Sequence, residues 1–121
     1  MKRLLTPIVI LVAIHSFIIG VLLYVLGNKL FALFGWEPVC NRFFFHQVGV
    51  FHVVMAGIYA WEYSRYHSVT SILFAKFTAL TFLTVEYLCF TPEISILLAG
   101  LGDGGIGVIV AFCHRRSMKP E

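Results

Sequence analysis

Residues 4–26 read LLTPIVILVAIHSFIIGVLLYVL, a run without one Lys, Arg, Asp or Glu and with a single histidine, His15. A helix crossing the hydrocarbon core of a bilayer needs about 20 largely apolar residues, and this run supplies them. Pro7 falls in the opening turn, where a missing N–H is tolerated, and Gly27-Asn28 is a stop signal. Three further stretches meet the same length: about Phe43 to Trp61, about Val69 to Phe90, and about Ile94 to Cys113, which opens after Thr91-Pro92. The cuts between them fall at Gly, Pro, Asn or charged residues, where helix ends belong. No internal repeat and no linker divides the chain, so residues 1–121 are expected to form one membrane domain. The expected fold is all-α, an up-down bundle of four transmembrane helices.

The composition agrees. Of the 121 residues 60% are hydrophobic, 16% aromatic and 12% charged, whereas a soluble domain carries about 25% charged residues. Half the usual charge cannot cover a water-soluble globule, and twelve Phe, five Tyr and two Trp are foreign to a disordered chain. The net charge of +3 comes from scattered bases without a long run, which argues against nucleic acid as a partner. The lipid bilayer is the expected solvent.

Orientation follows from the Lys and Arg distribution. With the N-terminus inside, the cytoplasmic side holds Lys2, Arg3, Arg65, Arg115, Arg116 and Lys119, and the opposite side only Lys29 and Arg42. Both termini are therefore expected in the cytoplasm of a bacterial-type inner membrane. Met1-Lys2-Arg3 before an apolar run imitates a secretory signal, but the run is long for one and no A-x-A-type site follows. An uncleaved first helix is the better reading. The sizeable loop, Gly27 to Arg42, lies outside. Its apolar segment, about residues 29–37, is too short to span and is expected to rest at the lipid interface, with Trp36 as an anchor at headgroup depth. A lid over an outward-opening cavity is the sharper alternative.

Ionisable groups within spans are costly and mark candidate sites. At about 1.5 Å per residue, His15, His52 and Asp103 fall near mid-span, with Lys76 somewhat toward the cytoplasmic side. Arg42, His46, Gln47 and Glu86 form a second, outer polar layer. In the second span Arg42, Gly49, His52, Ala56, Tyr59 and Tyr63 recur at helical spacing and share a face. Gly49 and Ala56 on it admit a neighbouring helix, and the bland reading of the face is a hydrogen-bonded packing seam. The fourth span carries Gly100-Leu101-Gly102-Asp103-Gly104-Gly105-Ile106-Gly107. Gly100 and Gly104 form a small-xxx-small pair for close helix contact, and the glycines weaken the helix around the carboxylate. Asp103 has two possible partners, Lys76 and His52; Glu86 has Arg42 and His46.

His15 and His52 match in depth as axial ligands of haem b would, although no haem-attachment sequence is present and two hydrogen-bonded histidines are the plainer reading. A quinone site needs less, and His52, Tyr59 and Asp103 supply suitable groups. Bound lipid is expected. No metal site is expected, because Cys40, Cys89 and Cys113 are widely spaced. Cys40 and Cys89 share the outer side and could form a disulfide. No nucleophile elbow, paired-carboxylate or zinc-protease motif points to catalysis by this chain.

The stretch from Arg42 to Arg65, with His46-Gln47-Val48-Gly49-Val50-Phe51-His52 and Gly57, resembles the second helix of DoxX-like small four-helix membrane proteins. Glu86 in the third helix and Asp103 in the Gly-rich fourth add to the likeness. The resemblance implies a left-handed four-helix bundle. That family includes a subunit associated with thiosulfate:quinone oxidation, so the resemblance also implies a quinone-linked role. The CxxC motif of some relatives is absent here, which counts against thiol-disulfide chemistry. The leading expectation is a small accessory subunit of a larger redox or energy-transducing membrane complex. Phe43-Phe44-Phe45 and Phe74-Phe77-Phe82 would offer packing surface for other membrane subunits or lipid tails. The alternatives are a stand-alone quinone-, haem- or lipid-binding redox protein and a small transporter or proton pathway.

Overall fold

The computed structural model describes residues 2–118, which form helices joined by short connections. The helices are α1 (Lys2–Leu26), α2 (Asn28–Leu33), α3 (Arg42–Tyr66), α4 (Thr70–Cys89) and α5 (Ile94–Ser117). All but α2 are long and apolar enough to cross a membrane. The protein is thus an all-α bundle of four membrane-spanning helices. Its first residues and last described turn share one end, here the terminal end; the α1–α3 connection and the α4–α5 turn share the other, the loop end.

Local chemistry sets the helix limits. Asn41 opens α3, its side-chain oxygen accepting the Phe43 N–H at 3.0 Å. The helix outruns the expected Trp61 because no breaker intervenes until His67, which adopts φ 52° and donates its N–H to the Tyr63 carbonyl at 2.9 Å. The first turn of α4 has no side-chain cap of its own. Glu62 of α3 serves instead: its carboxylate accepts Ser68 Oγ at 2.7 Å, the Ser71 N–H at 2.9 Å, and Ser71 Oγ. A carboxylate there satisfies an orphan donor and complements the helix dipole. Helix α5 runs past Cys113 through His114, Arg115 and Arg116, basic residues that suit a helix C-terminus.

The bundle is built as two pairs. Helix α1 lies along α3 and α4 along α5; α1 also touches α5, whereas α3 and α4 meet only sparsely. Glycine makes each pair tight. A Cβ added to Gly20 would come within 2.6 Å of the Gly49 carbonyl oxygen, and one added to Gly49 within 2.6 Å of that of Gly20. On α5, a Cβ at Gly104 would meet the Leu80 side chain at 2.7 Å and one at Gly100 the Leu83 side chain at 3.0 Å. Small residues let membrane helices approach until their backbones are in contact.

The core that joins the pairs lies toward the terminal end. Leu5, Val9, Val12, Tyr59, Val69, Ile72 and Val110 form it, drawn from all four long helices and the turn before α4. Toward the loop end the buried hydrophobic residues are Leu23 and Phe45, both of the α1–α3 pair. Beyond Lys76 no residue of α4 is buried, and on α5 only Gly100 and Gly104 are.

The outer loop departs from expectation. Trp36 does not simply anchor in the interface: it is half-buried, set edge-on to Phe31 at 5.0 Å, and its Nε1 donates to Ser95 Oγ at the start of α5 at 2.6 Å. The Asn28 side chain holds the loop by donating to the Val39 carbonyl and accepting its N–H, at 2.9 and 2.8 Å. The segment is a strap that ties one pair to the other at the loop end. Phe45, grouped above with outward-facing phenylalanines, is instead buried, edge-on to Phe31 at 4.7 Å and against Gly27. Its neighbours Phe43 and Phe44 are exposed.

Candidate functional site

The site is a polar layer at mid-span, directly above the core. Its centre is an ion pair in which Lys76 Nζ donates to Asp103 Oδ1 at 2.5 Å, bridging α4 and α5. Gly100 and Gly107, three residues before and four after Asp103, and the adjacent Gly104 are the positions where α5 meets α4, and a Cβ on Gly107 would touch Lys76 Cβ at 3.3 Å. The glycines hold the two backbones close enough for this contact. The lysine side chain is 8% accessible and the aspartate 25%. Lys76 is thus the carboxylate's partner, and among the described residues this is the one ion pair.

His52 of α3 takes a different partner. The Ser16 hydroxyl donates to the His52 carbonyl at 3.1 Å and lies 3.4 Å from its Nδ1. Ser16 is buried and His52 half-buried. By count along the helices, His15 and His52 stand near the depth of the Lys76–Asp103 pair, and Tyr59 lies two turns beyond His52 toward the terminal end. Tyr59 belongs to the core beneath the layer, and one turn further Tyr63 OH shares a 2.8 Å hydrogen bond with Thr6 Oγ1. His15 sits at the same depth but is exposed. One residue before Ser16, it is turned about 100° from the serine that faces α3. The two imidazoles are therefore not presented as the opposed pair that axial haem ligation requires.

The expected outer layer does not assemble into a second site. Glu86 accepts Thr91 Oγ1 at 3.0 Å and so closes the α4–α5 turn. His46 stacks on Tyr24 at 4.4 Å, while Arg42 and Gln47 are exposed. Cys40, Cys89 and Cys113 are free thiols, and among the described residues no three His, Cys, Asp or Glu side chains gather as a metal site would need. Ala56 is buried on the inner face of α3, in line with His52 and Tyr59.

Chemically, the layer is a neutralised carboxylate–ammonium pair flanked by two imidazoles and a phenol, roofed by little protein toward the loop end. It can exchange protons or hydrogen-bond a polar group brought in through the bilayer. Two residues escaped the sequence reading. Glu62 caps α4, and Ser16 holds His52; the serines at 68 and 71 were the available signal for the first, and helical spacing from His52 gave none for the second. These features define an integral membrane protein with a polar centre. The chain matches no family model, no curated protein and no solved structure.

Proposed function

We propose that the protein is a small accessory subunit of a larger membrane assembly, redox-linked or energy-transducing. It would sit in a bacterial-type inner membrane with both termini cytoplasmic. One observation carries this reading: the polar layer is incompletely covered by the chain's own helices. Asp103, although paired, keeps 25% of its side chain accessible, and His15 is exposed at mid-span. A charged group at the bilayer centre costs at least about 2.5–3.5 kcal/mol, so a neighbouring transmembrane segment that finished the enclosure would be strongly favoured. Gly102 and Gly105 offer such a segment a smooth approach, since nothing lies within 4 Å of a Cβ added at either. The likeness of α3 to DoxX-like proteins supports the redox link.

Native mass spectrometry of the protein, extracted from its own membranes in mild detergent, tests the reading. A co-purifying membrane subunit at fixed stoichiometry is expected, and Asp103→Asn combined with His15→Leu should weaken its retention. A stable monomer, unchanged by the substitutions, would rule the reading out.

A second reading has its own support. Above the polar layer the helix pairs share no buried hydrophobic residue, and α3 barely meets α4. A quinone head entering there would find His52 and Asp103 as hydrogen-bonding groups. Purified protein that is free of extractable quinone, taken from quinone-containing membranes, would eliminate it.

A further inference from the structure

The lipid-facing side of α4 carries a groove of about 790 Å³, running from Thr70 to Phe82 past Phe74, Phe77 and Thr78. We infer that this groove holds one acyl chain of an anionic phospholipid from the leaflet at the terminal end, with Arg115 as the headgroup partner. Three observations converge on that occupant. The first is length: twelve residues of helix extend about 18 Å, close to the depth of one leaflet in a hydrocarbon core about 30 Å thick. The groove begins at the first residue of α4, where the bilayer surface must lie, and its walls are phenylalanine, threonine and leucine side chains.

The second is charge. The terminal end carries Arg65, Arg115 and Arg116, while its one described carboxylate, Glu62, is engaged by Ser68 and Ser71. The loop end instead sets Lys29 and Arg42 against Glu37, Glu86 and Glu93. An anionic headgroup is therefore complemented at the end where the groove opens, and not at the other.

The third is the direction of one side chain. Gly104 faces Leu80 of α4, and Arg115 follows it by eleven residues, about three helical turns. Arg115 therefore projects on the same α4-facing side of α5. Its depth also fits. From the contact between Gly107 and Phe77, Arg115 lies about 12 Å along α5 and Thr70 about 10 Å back along α4. Arg115 is exposed. Arg116 is exposed as well, but its guanidinium lies over the Phe112 ring, 4.3 Å from the centroid, on another face. The two arginines thus form a matched pair of equal charge, one beside the groove and one away from it.

The protein is reconstituted in vesicles of mixed phosphatidylglycerol and phosphatidylcholine, re-extracted in mild detergent, and weighed by native mass spectrometry. Wild type should retain one phosphatidylglycerol per chain in preference to phosphatidylcholine. Arg115→Gln should lower that preference about fivefold, the weight of one basic residue at an anionic surface, while Arg116→Gln leaves it in place. Thr78→Trp, which fills the groove from its lipid-exposed side, should remove bound lipid of both kinds. Equal retention of the two lipids by wild type overturns the inference. So does an Arg116→Gln effect equal to that of Arg115→Gln, which would make the attraction diffuse. A lipid-free dimer that Thr78→Trp dissociates would assign the groove to a second copy of the chain instead.

Discussion

Removing either member of the Lys76–Asp103 pair strands a charge inside the bundle, and the two losses should differ. At 2.5 Å the gross attraction is about 7 kcal/mol at an effective dielectric of about 20. Desolvating both ions costs several kcal/mol each, so the pair contributes little net stability against an apolar replacement. A partner left alone keeps the desolvation cost without the attraction, which amounts to about 3–5 kcal/mol. Asp103→Leu strands the more deeply buried lysine, 8% accessible, and belongs at the upper end of that range. Lys76→Met strands the aspartate, whose 25% accessibility gives it a route to water or to a proton, and belongs at the lower end. The double variant restores neutrality and should lie within about 1 kcal/mol of wild type. Reversible unfolding by SDS in mixed micelles, followed by far-UV circular dichroism, provides the three values of a double-mutant cycle. Additive single losses, or a double variant less stable than either single one, would refute the pairing and with it the charge balance of the polar layer.

Three other outcomes follow from the packing and the loops. Gly49→Ala should cost about 1–3 kcal/mol, because its Cβ meets the Gly20 backbone and overpacking has that scale. Gly105→Ala, into open space, should be neutral or stabilising by up to about 1 kcal/mol, and the same unfolding assay separates the two. Trp36→Phe removes the bond to Ser95, worth about 1 kcal/mol. Amide hydrogen exchange should then accelerate in the first turn of α5 and stay unchanged at Val110, whereas uniform acceleration would argue against a local strap. Cys40 and Cys89 are exposed thiols at the loop end, so an impermeant maleimide applied to intact spheroplasts should label both without prior reduction; labelling only after lysis would invert the proposed orientation.

The sequence made the four spans readable because a bilayer demands long, nearly uncharged runs, and residues 4–26 are longer than a secretory signal needs. It also ranked the polar groups by depth, since axial position along a helix follows from counting. Rotation about the axis was much harder to read. His15 and Ser16 are adjacent in sequence, yet one is exposed and the other buried against His52, and only the seating of Gly20 on Gly49 fixes which way α1 turns. Gly49 was marked as a contact point, but its partner was not, because a single glycine in an apolar helix has no distinguishing neighbours. Glu62 went unnoticed for a related reason: its role depends on the left-handed turn at His67 that returns Ser68 and Ser71 to it. For Lys76 and Asp103 the depth was compatible with pairing but could not exclude His52. The glycine seam between α4 and α5 decides it.

The two-pair architecture also bears on how the chain enters a membrane. Lys76 and Asp103 lie on consecutive helices joined by the short turn that Glu86 and Thr91 close. They can therefore leave the translocation machinery as one hairpin, already neutralised, and neither charge need cross the hydrocarbon alone. Ser16 and His52 are joined in the same manner within the first pair. Each half thus satisfies its mid-span polar groups before the halves meet, and the polar contacts left for docking lie at the two ends, Trp36 with Ser95 and Glu62 with Ser68 and Ser71.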